Sequence, residues 1–580
     1  LNIELHQFED NLEVHIAAQG DVMTEENLHE LGRSFASLFV SLIERPDDNA
    51  LVTEEVRTAK VEEAQVNGHV DSEESFELPE GLSTANVAAL REIISKATKI
   101  RDDDIKYETT LMSMGIDSIS AIQITAKLRQ EGIRLYAADV LRCTRFYDLL
   151  LVMHQKTVST HDPLAGLVNP ITEDEKSKLL AKLNVSPDLI EDVNPITPGL
   201  KWCVAMWQLS GRSLFQYAFT MKVKTPASDG TVFTEERLRN AWETLVRARP
   251  IFRSTFVSLD RKNPRMVTFK EMPSERMWKV VRVYGDNSND QLLAAQMKKV
   301  ASNPLSTELP PSQAIMLYIN DVPYFILHLH HFHYDAWCYQ LHTTDLSELY
   351  HGRPPYNRGE LLPWVLQVQP TPAREEEQKA YWTSVFPSGF KPTRFPTLNP
   401  GGGPDRSIVT DFFTLKDLGL LQRTAKEKRL SLNSVFLACW ARVQALFAGT
   451  DDATFALWSL NRTGNSKHNL ETLAVPAVNV YPVYTRADTT NTEMMNTLHS
   501  QLRRRTPVIE QTYLESIHEW LGVKDEPLIE AYVNVVLGAG QEDIRGDTFP
   551  MVDVRLFCFA AYIGTYLIRI DAGPVLHPHR

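Results

Sequence analysis

No stretch of this 580-residue chain reaches the roughly 18 to 20 consecutive apolar residues that a bilayer-crossing helix needs, and its first residues show neither a basic start nor an apolar signal core. Read this way the chain is cytoplasmic and has no membrane partner. Cysteine is scarce as well. The five cysteines (Cys143, Cys203, Cys338, Cys439 and Cys558) are odd in number, widely spaced and without a Cys-x-x-Cys pair, which argues against a disulfide framework or a zinc knuckle. Positive charge is in deficit: 60 Lys and Arg against 74 Asp and Glu leave a net charge of −14, whereas a general nucleic-acid binder needs a basic surface. Much of that deficit is local, since residues 44 to 80 hold twelve acids against three bases.

What is present suggests several units, because the length exceeds what one hydrophobic core organises. "LNIELHQFEDNLEVHIAAQG" alternates apolar and polar residues around Glu9-Asp10-Asn11, and "TEENLHELGRSFASLFVSLIERP" repeats apolar positions at Leu28, Leu31, Phe35, Leu38 and Leu42 before Pro46. Two strands and one helix cannot bury a core alone, so residues 1–46 read as the tail of a domain that begins upstream. Residues 47–83 form an acidic linker. Residues 84–155 form a small helical unit with helices expected near 84–99, 118–131, 137–142 and 145–155. A second linker, 156–170, leads into an α/β body that runs to residue 580.

Within the helical unit, "LMSMGIDSISAIQITAKLRQEGIRL" places Gly115 at a turn, Asp117 at a cap, and Ile119, Ile122, Ile124 and Leu128 on a buried face. Ser118 then stands at a helix N-terminus, where the positive end of the dipole suits a phosphate group. As a bare Gly-x-Asp-Ser, it reads first as a serine in an N-terminal turn.

In the body, "HLHHFHYDAW" (328–337) packs four histidines into six residues ahead of an aspartate. Strand geometry puts His331 and His333 on one face and His328 and His330 on the other, so no face offers the three or four ligands zinc usually takes. Two other readings stay open on chemistry alone: a crowded turn whose imidazoles bond to backbone, or a base near neutral pH at His331 with Asp335 organising the loop.

Residues 84–155 resemble a peptidyl carrier (thiolation) domain of nonribosomal peptide synthetases, on the core Gly115-Ile116-Asp117-Ser118-Ile119 followed by Lys127-Leu128-Arg129. The resemblance implies 4′-phosphopantetheine attached to Ser118, installed from coenzyme A by a phosphopantetheinyl transferase. "HHFHYDA" is similar to the His-His-x-x-x-Asp-Gly motif of condensation domains, with Ala336 in place of the glycine. Other landmarks follow in the family's order: "VNPITPGLKWCVAMW", then "RPIFRSTF" retaining Arg253 and Phe256, then "ATFALWSLNR", then "VPAVNVYPVYTR" retaining Asn479, Pro482 and Arg486.

By this resemblance His331 is catalytic, His330 supports it and Asp335 is structural, while Trp337, Asn479 and Arg462 are expected along the substrate tunnel, with no metal. The implied fold is a four-helix carrier bundle followed by a chloramphenicol-acetyltransferase-like α/β domain, with subdomains 171–345 and 346–580 in a V-shaped pseudodimer and the last helix missing. The implied function is amide or ester bond formation, or cyclisation, on carrier-bound acyl or peptidyl substrates, with upstream and downstream synthetase domains of the same polypeptide as partners. Adjacent carrier and condensation units resemble the ends of fungal hydroxamate siderophore synthetases, which implies N5-acyl-N5-hydroxyornithine-type acyl groups. An epimerase of the same superfamily and a docking-only condensation fold are the alternatives.

Overall fold

The structure is a computed structural model. It describes residues 1–7, 12–19, 23–44, 84–98, 100–111, 114, 116, 120–121, 124–125, 127–128, 135, 139–140, 143, 145–156, 170–209, 215–223, 232–260, 263–395, 408–415, 423, 431–462, 470, 472–523, 527–536 and 551–556. The linker 47–83, most of the linker 156–170, and Ser118 with Gly115, Asp117 and Ile119 lie outside the described residues.

The helical unit has its own core. Helices Thr84–Thr98 and Phe146–Lys156 enclose Leu90, Ile94, Phe146, Leu149 and Leu150, which are fully buried. Ala121, Ile124, Thr125 and Leu128, at helical spacing, are buried with them, and the Thr125 hydroxyl donates to the Ala121 carbonyl at 2.9 Å, as on a regular helical turn. Phe146 N–H donates to the Thr109 carbonyl and Tyr147 N–H to that of Tyr107, fixing the last helix against the preceding loop.

Among the described residues the body has three sheets. One has five strands, in the order Met551–Leu556, Gln216–Val223, Val322–His330, Ser312–Ile319, Trp278–Val283. A second has six, in the order Ile408–Leu415, Leu12–Gln19, Asn2–Gln7, Tyr532–Val536, Asp452–Ser459, Asn479–Arg486. A third, of three strands, runs Ile190–Asn194, Pro264–Phe269, Ser254–Ser258. The apolar cluster that runs from Ile3 to Val533 joins the two larger sheets.

Of residues 1–46, expected as the tail of a preceding domain, strands Asn2–Gln7 and Leu12–Gln19 and helix Glu25–Glu44 pack against the body. Asn2–Gln7 pairs in parallel with Tyr532–Val536, and Leu12–Gln19 pairs antiparallel with Ile408–Leu415. Helix Glu25–Glu44 lies on helix Leu432–Ala448, where Phe35 meets Phe413 and Phe436 at 5.7 and 5.3 Å between ring centroids. A hairpin and one helix cannot cover their own apolar faces, and this packing buries them in the core of the body. The division at residue 345 is also not a clean cut. Met551–Leu556 returns to the five-stranded sheet and pairs with Gln216–Val223.

Candidate active site

The histidine cluster sits at the end of strand Val322–His330. Burial is on both faces there, so the run reads as near-continuous apolar sequence. The expected alternation through His333 does not hold, because the strand ends at His330. Phe332 N–H turns back onto His330 Nδ1 at 3.0 Å and His333 N–H onto the His330 carbonyl at 2.9 Å, closing a tight turn. Since Nδ1 of His330 accepts, its neutral ring carries the proton on Nε2. His333 Nε2 lies 2.9 Å from the Ser254 carbonyl and must donate to it, which ties the turn to the three-stranded sheet.

His331 has a different environment. Its backbone N–H donates to the Phe215 carbonyl at 2.7 Å, and Phe215 holds a left-handed φ of 62°, a strained conformation for an aromatic residue. The imidazole is 1% exposed and ringed by Tyr334 at 4.8 Å, Phe215 at 5.7 Å, Trp458 at 6.0 Å and Tyr217 at 6.3 Å. Phe215 and Tyr217 belong to the five-stranded side and Trp458 to the six-stranded sheet, so His331 lies where the two halves of the body meet. Burial pushes its pKa down to about 4 despite the opposing pull of Asp335, so the ring is neutral at pH 7.

Asp335 is the N-cap of helix Ala336–Tyr350 and accepts from Cys338 N–H at 2.7 Å. It also accepts from Arg462 Nη2 at 3.1 and 3.2 Å and from Ala477 N–H at 2.8 Å. Burial alone would raise the carboxyl, but Arg462 and these N–H groups outweigh it and hold it below the usual carboxylate range. The carboxylate is thus fully engaged in structure.

Arg462 and Asn479, expected along the substrate tunnel, are buried braces in this structure. Arg462 is 1% exposed, and besides Asp335 it donates to the carbonyls of Leu470, Leu473 and Val475 at 2.6, 2.8 and 2.5 Å. Asn479 is 1% exposed, and its amide donates to the carbonyls of Glu510 and Thr512 at 2.8 and 3.0 Å. Both side chains are committed to bracing loops, which a motif read in one dimension does not reveal. Trp337, the third residue expected there, is half-buried on the first turn of its helix and packs against the apolar core of the helical unit.

Three further residues shape the site. Tyr334 and Trp458 wall the imidazole, and Gly199 lets helix Pro198–Leu209 approach the backbone of Val478 so closely that a Cβ would overlap its carbonyl oxygen. The one available signal was the glycine of "TPGL". A surface cleft of about 340 Å³ beside Arg237, Asn240 and Tyr350 is no route to His331, since it lies at the far end of a 15-residue helix, roughly 20 Å from Asp335. Among the described residues no helix is long and apolar enough to cross a membrane.

Comparison with known proteins places both units. Residues 205–545 match the condensation domain family and residues 88–150 match the phosphopantetheine attachment site family. The chain is 30% identical over 572 residues to nonribosomal peptide synthetase NPS2 of Ceriporiopsis subvermispora, covering 96% of this chain and 22% of that protein. It is 28% identical over 553 residues to coprinoferrin synthetase of Coprinopsis cinerea, covering 92% of this chain and 22% of that protein. To nonribosomal peptide synthetase sidC of Aspergillus fumigatus it is 25% identical, covering 96% of this chain and 12% of that protein. The chain therefore spans about a fifth or less of these relatives. Among solved structures it is similar to the condensation domain of the monacolin K polyketide synthase MokA, at TM-score 0.46 and 14% identity over 59% of this chain and 81% of that one. The chain belongs to the condensation-domain family, with a phosphopantetheine attachment domain ahead of the condensation-domain body, as in nonribosomal peptide synthetases.

Proposed function

We propose that the chain joins acyl or peptidyl units into an amide or ester, with Ser118 as the attachment serine and His331 as the proton acceptor. The carrying observation is the placement of His331 at the junction of the two halves, on a turn held by the pairing of Asp335 with Arg462. Ser118 falls within the matched attachment domain, two residues before the described helical position Ser120, and would hold phosphopantetheine through a phosphodiester. Bound there, that group supplies the thiol on which the acyl donor is carried.

His331, neutral at pH 7, takes the proton that the attacking amine or hydroxyl loses as its bond to the acyl carbon forms, and the same proton can neutralise the departing thiolate as the carbon–sulfur bond breaks. A hydroxyl depends on this more than an amine, whose pKa near ~8 already leaves a neutral fraction. Because His331 is enclosed, the reaction requires the rings of Tyr334 and Trp458 to part for the donor arm.

The substrates are N5-acyl-N5-hydroxyornithine-type units of a hydroxamate siderophore. Support for this comes from the carrier motif around Ser118 and from similarity to coprinoferrin synthetase over most of the chain. The protein acts in the cytoplasm, is primed from coenzyme A by a phosphopantetheinyl transferase, and works with neighbouring synthetase domains. Priming the full chain and weighing it intact tests the first step. A phosphopantetheine gain that Ser118→Ala abolishes, followed by acyl transfer that His331→Ala suppresses, is the expected result; transfer unchanged by His331→Ala overturns the assignment.

A further inference from the structure

We propose that Trp337 is the aromatic anchor on which the carrier domain docks to deliver its acyl group to His331. The inference rests on the function proposed above for Ser118 and His331. Among the described hydrophobic residues, Trp337 is the only one outside the carrier that packs against the carrier's apolar core; the other residues of that cluster run from Val87 to Met153.

Its position on the body gives the contact meaning. Trp337 stands six residues after His331, a length of chain that cannot span more than about 20 Å, so a carrier seated there is close to the catalytic turn. It also stands on the best-held turn of the site. Asp335 caps that turn, and Arg462, Ala477 N–H and Cys338 N–H fix Asp335, so the ring is presented by a rigid first helical turn and not by a loop.

A single aromatic is a suitable anchor for a carrier that must bind, deliver and leave. Only thirteen residues separate Lys156 from Pro170, so carrier and body meet as parts of one chain and docking needs no large interface. An indole offers large apolar area with few rotatable bonds, which is why tryptophan recurs as an interface anchor.

The test uses the full chain primed at Ser118 and compares two donors in single-turnover transfer to one acceptor amine: the acyl group carried on the chain, and the same acyl group as a free pantetheine thioester. Trp337→Ala is expected to slow the carried donor by about 30-fold, the size of an interface hot-spot loss, and at least about tenfold more than it slows the free thioester. Trp337→Phe should recover most of the carried-donor rate. Equal losses with both donors would put Trp337 in the tunnel wall, and no loss with the carried donor would remove it from docking; either overturns the proposal. His331→Ala in the same assay should slow both donors alike. If it slows neither, the catalytic reading fails, while the difference between donors still reports on docking.

Discussion

Arg462 reaches from the end of strand Asp452–Ser459 to Asp335 at the head of helix Ala336–Tyr350, and both side chains are almost wholly buried. This pair joins the strand of the six-stranded sheet to the turn that carries His331. Removing one partner leaves a charge in the core, which typically costs about 3–5 kcal/mol. Arg462→Met and Asp335→Ala should each lower the denaturation midpoint by that order, and the double variant should lose less than the sum of the two. Strict additivity in that cycle would show that the pair is not coupled.

His331→Ala should leave folding and priming at Ser118 intact and reduce acyl transfer by about 10²- to 10⁴-fold, the usual contribution of a positioned base. Intact mass reports priming and single-turnover kinetics report transfer. A loss confined to folded yield would instead give His331 a packing role among Phe215, Tyr334 and Trp458.

Acid should unfold the protein through its histidines first. Burial pushes His328, His331 and His333 down to about 4 and His342 to about 3, below the ~6.5 of an unfolded histidine. Between those values the unfolded chain binds more protons than the folded one, so stability is full above pH ~6.5 and is lost as pH falls toward 4. Each such histidine makes stability drop by about 1.4 kcal/mol per pH unit in that window. Asp335, held low, loses its contribution only below about 3.9. Denaturation midpoints measured from pH 7 to 5 should fall steeply; a flat profile would mean the imidazoles are charged in the folded state.

Gly199→Ala should be far more damaging than a surface Gly→Ala change, because the added Cβ meets the Val478 carbonyl, and backbone cannot swing aside as a flexible side chain does. A loss of at least about 3 kcal/mol, or failure to accumulate folded protein, is expected. Wild-type stability would show that helix Pro198–Leu209 does not pack as described.

Local patterns were legible wherever the signal was local. The alternation along Asn2–Gln7 and Leu12–Gln19, the stripe from Leu28 to Leu42 and the carrier helices Thr84–Thr98 and Phe146–Lys156 read directly. The partner of Asn2–Gln7 did not, because it lies 530 positions away and no periodicity encodes strand pairing at that distance. The histidine run looked like one continued strand. A bond from Phe332 N–H to a ring nitrogen ends it at His330, and β-spacing cannot anticipate that. The bracing bonds of Arg462 and Asn479 were not legible either, because a motif does not distinguish a side chain that braces a loop from one that lines a tunnel.

The most direct measurement asks whether the arm reaches the imidazole. Ser118 is primed with a pantetheine ending in a haloacetyl group in the His331→Cys variant, and the cross-link is mapped by mass spectrometry. The account predicts a covalent bond between the Ser118-borne arm and residue 331. A fully primed chain in which residue 331 stays unmodified would contradict it.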